Sequence, residues 1–155
     1  MKFTFGYNRL SYCELSLTMQ TAPSSGRPYC VLVVDDHDDT RQMSLIVLRS
    51  QGFHAAVAAG GDAAFDYACE QGPDVIVTDL AMPDGDGWDL IQKLASDPRT
   101  KDIPVVMLTA CATEAVRSRA KREGLAAFFF KPCAPDVLAA ELRRLCDRRS
   151  TTSVA

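Results

Sequence analysis

The chain has 155 residues, of which 47% are hydrophobic and 24% charged, and its formal net charge is −3. That balance suits one folded domain, excludes a disordered chain, and gives no global sign of nucleic-acid binding. No apolar run approaches the roughly 18 residues needed to cross a membrane, and the opening "MKFTFGYNRLSYCELSLTMQ" lacks the apolar core and cleavage site of a secretory signal.

In chain order, residues 1–28 mix polar and aromatic side chains and close on the turn-rich "TAPSSGRP", which predicts a flexible extension. Regular patterning begins at Tyr29. "CVLVV" is a β-rich run ending at Asp35. "TRQMSLIVLRSQG" reads as a helix capped by Asp38 or Asp39 and stopped by Gly52. A short strand, "FHAAV", precedes the helix "DAAFDYACEQG", with Phe65, Ala68 and Cys69 on one face. "DVIVT" is a buried strand reaching Asp79. The helix "GWDLIQKLAS" turns Leu90, Ile91 and Leu94 inward. "IPVVML" is a strand ending at Thr109, and "TEAVRSRAKREG" is a polar helix stopped by Gly124. "AAFFF" reads as a fifth buried strand, and "APDVLAAELRRLC" as a helix with Pro135 in its first turn and Leu138, Leu142 and Leu145 at i, i+4, i+7.

Five β-α repeats with strands apolar throughout predict a doubly wound parallel sheet covered on both faces. The expected domain spans residues 29–148, with residues 149–155 as a tail. Six cysteines (Cys13, Cys30, Cys69, Cys111, Cys133 and Cys146) are scattered without a CxxC pair, so buried free thiols in a cytoplasmic protein are expected.

In such a sheet the ligand crevice lies beyond the carboxyl ends of the strands. Four of the five strands end there in Asp35-Asp36, Asp79, Thr109 and Lys131. One carboxylate could be a helix cap. Three crowded together repel unless a cation intervenes. Three Asp give −3 and Lys131 gives +1, and the remaining −2 suits one divalent ion. Carboxylate-rich ligation favours Mg²⁺ over zinc.

The ordered motifs "VVDD", "VTDLAMPDGDGW", "MLTA" and "FFFKP" make residues 29–148 similar to the receiver domains of bacterial response regulators, the phosphoacceptors of two-component signalling. The resemblance implies a flavodoxin-like (βα)5 fold with a five-stranded parallel sheet of order 2-1-3-4-5, and a stand-alone, single-domain type. Asp79 would be the phosphoacceptor. Asp36, Asp79 and the Ala81 carbonyl would hold Mg²⁺ directly, and Asp35 through water. Thr109 and Lys131 would bind the phosphoryl group, and a cis peptide between Lys131 and Pro132 would aim the lysine into the crevice. Thr109 and Phe128 would form the switch. The implied partners are a sensor histidine kinase or histidine phosphotransfer protein upstream, and a protein target on the face of the fourth helix, fifth strand and fifth helix. The chain would be no turnover enzyme beyond slow self-catalysed phosphorylation and dephosphorylation.

Small side chains at Ala81 and Cys111 stand where relatives control water access to the acyl phosphate. Two other functions compete: a phosphate-relay intermediate, and a haloacid-dehalogenase-type phosphatase with Asp36 as nucleophile, which leaves Asp79 unexplained. "MPDGDGW" fails the EF-hand pattern because Trp88 takes an acidic position, so Pro83 and Gly87 read as turn residues and Trp88 as packing. "RRLCDRR" reads as the solvated face of the last helix rather than a nucleic-acid site.

Overall fold

A computed structural model describes residues 26–82, 87–111 and 113–152. The apolar runs become strands β1 (Cys30–Val34), β2 (His54–Ala58), β3 (Val75–Thr78), β4 (Val105–Thr109) and β5 (Ala127–Phe130). Between and after them run helices α1 (Asp38–Ser50), α2 (Gly61–Gln71), α3 (Gly87–Ser96), α4 (Glu114–Arg122) and α5 (Pro135–Thr152). All pairings are parallel and the order is β2-β1-β3-β4-β5. Parallel neighbours cannot be joined by a tight turn, so each return passes through a helix.

Alternate strand residues feed two cores. Leu32, Val34, Ile76 and Met107 pack with Ala64, Ala68, Leu90, Leu94 and Ala120 of α2, α3 and α4. Val31, Val33, Val77 and Val106 pack with Leu48 of α1 and Ala139, Leu142 and Leu145 of α5. The central strands β1 and β3 are buried on both faces, as continuous apolar runs require. Each fully buried aliphatic side chain contributes about 1.5–3 kcal/mol.

Several expectations are corrected. Asp38 and Asp39 lie in the first turn of α1, and the cap position belongs to His37, whose side chain makes no capping bond. The aromatic run Phe128–Phe130 is half-buried rather than buried, because β5 is an edge strand. Residues 149–152, expected in a tail, continue α5 to Thr152. Arg149 there donates to the Pro73 carbonyl at 2.7 Å. At the other end, residues 1–25 of the expected extension lie outside the described residues, as does Pro83, while Arg27 forks onto Asp74 at 2.9 and 3.0 Å.

The thiols are also less uniform than expected. Among the described cysteines Cys146 is buried, Cys111 is exposed, and Cys30, Cys69 and Cys133 are intermediate. Burial pushes the Cys146 thiol up to about 12, helped by Asp74 and Asp147. The folded chain therefore holds this proton more tightly than the unfolded chain. That stability is fully present below the ordinary thiol range and drains as pH rises towards 12. Urea unfolding should lose on the order of 2 kcal/mol more between pH 8 and pH 10 in the wild type than in Cys146→Ala. Equal losses would show that the thiol ionises freely in the folded chain.

Candidate functional site

Every residue singled out at the strand ends arrives at the carboxyl edge of the sheet. Asp35 and Asp36 follow β1, Asp79 follows β3, Thr109 closes β4 and Lys131 follows β5. β5 lies two strands from β3, about 10 Å across the sheet. The Lys131 side chain spans that gap, with Nζ 3.2 Å from Asp79 Oδ2 and 3.3 Å from Asp35 Oδ2. Burial alone would lower the ammonium pKa, but Asp79 and then Asp35 outweigh it, so Lys131 stays charged above its ordinary range. The Lys131–Pro132 peptide is cis.

The carboxylates are held individually. Asp35 is buried, and its Oδ1 accepts from the His37 backbone N–H at 2.9 Å. Asp79 Oδ1 accepts from the Leu80 N–H at 2.7 Å. Behind it, the Asp79 carbonyl accepts from the Thr78 hydroxyl at 2.9 Å. The first residue of α3 lies against the same carbonyl: a Cβ on Gly87 would collide with it and sit 3.2 Å from Leu80 Cα. This close approach is closed by the Gly87 N–H donating to the Leu80 carbonyl at 2.8 Å.

Asp36 is bonded differently. Its Oδ1 is buried and accepts no hydrogen bond from the described residues, although His37 Nδ1 lies 3.0 Å away. An unsatisfied buried carboxylate oxygen is costly, and an oxygen-rich set of this kind suits a hard divalent cation. Thr109 is buried, and its Oγ1 accepts from the Cys111 N–H at 3.1 Å. Ala81 is exposed in the loop after Asp79. Phe128 lies away from the crevice, on the α4 side of β5, with its ring 4.9 Å from that of Phe130 at 76°.

A family model, the response regulator receiver domain, matches residues 31–143. This chain belongs to that family. Response regulator Rre1 of Synechocystis sp. is 36% identical over 129 residues, which cover 83% of this chain and 56% of Rre1. The phosphate regulon transcriptional regulatory protein PhoB of Escherichia coli is 36% identical over 124 residues, covering 80% of this chain and 54% of PhoB. The chain thus spans about half the length of these two curated relatives. The solved chemotaxis protein CheY4 of Vibrio cholerae superposes with a TM-score of 0.71 at 30% identity, covering 76% of this chain and 98% of CheY4.

The receiver carries two side chains at this edge that the sequence did not single out. Arg41, with its side chain 13% exposed, donates from Nη1 to the Asp35 carbonyl at 2.7 Å and pairs with Asp38. A cation in the first turn of a helix opposes the helix dipole, which is a legible sign of another task. His37 is the second. Trp88, by contrast, is buried in the receiver core, as its packing role requires, with the Arg119 guanidinium 4.5 Å above its ring.

Proposed function

We propose that this receiver takes a phosphoryl group from a histidine kinase or histidine phosphotransfer protein onto Asp79, and that the modification changes which protein it binds. The observation that carries this reading is the Lys131 ammonium held between Asp79 and Asp35. A phosphoryl group on Asp79 brings new negative charge to a long cation that already reaches that carboxylate.

As a carboxylate oxygen of Asp79 forms the new phosphorus–oxygen bond, the phosphorus–nitrogen bond of the donor phosphohistidine breaks, and its electron pair leaves with the imidazole. Catalysis of such a transfer is mostly positioning and charge stabilisation. Lys131 supplies a cation to one phosphoryl oxygen. The Thr109 hydroxyl would donate to another. A Mg²⁺ ion held by Asp36, Asp79 and the Ala81 carbonyl, and by Asp35 through water, would neutralise charge on the phosphoryl group. The unsatisfied Asp36 Oδ1 supports that assignment. The module is an acceptor, working in the cytoplasm without direct contact to nucleic acid or membrane.

Acetyl phosphate with Mg²⁺ should add one phosphoryl group by mass spectrometry, and Asp79→Asn should take none. Full labelling of that variant would overturn the assignment.

The partner face lies on α4, β5 and α5. A groove of about 340 Å³ there is lined by Glu114, Arg117, Lys121, Leu125, Phe128 and Phe130, with the Arg117 guanidinium 4.7 Å from the Phe130 ring centroid. If Thr109 shifts towards a phosphoryl group, Phe128 can turn into the space released, and the two packings need differ only in affinity for the modified site. Beryllofluoride with Mg²⁺ should therefore move amide resonances both at the crevice and along α4 and β5. Phe128→Ala should keep the first set and lose most of the second. A response confined to the crevice in the wild type would favour a phosphate-relay intermediate.

A further inference from the structure

The imidazole of His37 stands beside the acidic pair, and neither the motif reading nor the phosphoryl chemistry uses it. Its Nδ1 is hydrogen-bonded to Asp35 Oδ1 at 3.3 Å and lies 3.0 Å from Asp36 Oδ1. One donor atom from each of the three residues falls within 4.8 Å of the other two. His37 occupies the cap position of α1, yet its side chain makes no capping bond. Its backbone N–H is fixed on Asp35 Oδ1 at 2.9 Å, which ties the ring's position to the carboxylate pair.

We propose that His37 makes this pocket selective for a first-row transition dication over Mg²⁺, by adding one imidazole nitrogen to the carboxylate oxygens. The inference rests on the reading of the acidic pocket as a cation site. Two neighbouring ligands, each about 2.1 Å from an octahedral ion, stand about 3.0 Å apart, which is the separation of His37 Nδ1 and Asp36 Oδ1. That pair also lacks hydrogen-bond geometry, since Asp36 Oδ1 accepts no bond. A distance fit for co-ligation without the angle for a hydrogen bond is the observation that favours a shared ion. Mg²⁺ prefers oxygen ligands and gives up its waters reluctantly, whereas imidazole suits nickel, zinc and copper. The added nitrogen therefore discriminates by ligand type.

The test titrates the full chain with NiCl2 and with MgCl2 by calorimetry, in the wild type and in His37→Asn, which places a favourable cap residue at the start of α1 and removes the imidazole. Nickel binds most sites of this kind more tightly than magnesium, so the quantity read is the ratio of the Mg²⁺ Kd to the Ni²⁺ Kd. It should fall tenfold or more in His37→Asn. Asp36→Asn should abolish nickel binding at this site, and excess Mg²⁺ should displace it, which separates the pocket from exposed thiols. His54, the other histidine of the chain, sits at the opposite end of the sheet, at the start of β2. Bound Ni²⁺ should accordingly shift the ring protons of His37 and leave those of His54 in place. If both ions bind and the ratio falls less than tenfold, or the His37 protons do not move, the selectivity role is overturned while the acidic site stands. If neither ion binds the wild type, the cation site itself fails and the inference falls with it.

Discussion

Lys131→Ala will lower the melting midpoint of the metal-free chain by roughly 10 °C and slow labelling by acetyl phosphate on the order of a hundredfold. The two effects share one cause. The ammonium lies within 3.3 Å of both Asp35 and Asp79, so its removal leaves a buried carboxylate, Asp35, facing two others. Breaking a buried pair by deleting one partner costs about 3–5 kcal/mol. Lys131 is 30% exposed and water softens the loss, so about 2–3 kcal/mol is the expected share. In the proposed transfer step the same cation would meet developing charge, where one preorganised partner is worth roughly 10²–10³ in rate. Divalent cation should raise the midpoint of the variant more than that of the wild type, because it then supplies the counter-charge that Lys131 no longer provides. Thermal melts with and without MgCl2, and timed mass spectrometry, read both effects. A variant as stable and as readily labelled as the wild type would show that the lysine is only a surface tip.

Gly87→Ala will cost about 1–3 kcal/mol, and Gly87→Val more, although the methyl of alanine is the smallest addition available. Its Cβ meets backbone, the Asp79 carbonyl and Leu80 Cα, and backbone cannot swing aside as a flexible side chain can. Either α3 lifts, exposing Leu90, Ile91 and Leu94, or the Asp79 peptide rotates and its carboxylate leaves Lys131. Urea unfolding reads the first outcome and the acetyl phosphate rate the second. If Gly87→Ala matches the wild type in both, the approach of α3 is not constraining.

What the sequence made legible follows from how local each signal is. Continuous apolar runs marked β1, β3 and β4 because both faces of those strands are covered. Helices α1, α2 and α4 end where expected because Gly52, Gly72 and Gly124 take positive φ, a conformation other residues avoid. α5 overran its expected end because nothing after Cys146 stops a helix: Asp147, Arg148 and Arg149 are as compatible with a turn of helix as with a tail. Phe128–Phe130 looked buried because edge position is a property of the whole sheet and leaves no mark on three aromatics. The site residues were legible as types at strand ends, since a parallel sheet gathers its carboxyl ends along one edge. Their pairing was only partly so. That Lys131 reaches Asp35 as well as Asp79, and that His37 turns its ring onto Asp36, depends on rotamers and on a cap geometry that spacing does not encode.

The last helix also distributes resistance to opening. Arg143 donates to the Gln51 carbonyl, Tyr29 to Asp147, and Arg149 to the Pro73 carbonyl. These ties bind α5 to the loops that enter β2 and β3 and to the residue before β1, all at the end of the sheet remote from Asp79. The opposite end holds the ion-paired Asp35, Asp79 and Lys131, and α4, which starts from that end, is nine residues long with only Ala120 fully buried. Amide exchange should be slowest in β1 and β3 and in the second half of α5, and fastest in α4 and the strand-end loops. With one end of the domain tied in this way and the other less so, the proposed partner face could be remodelled at a cost well below that of unfolding the chain.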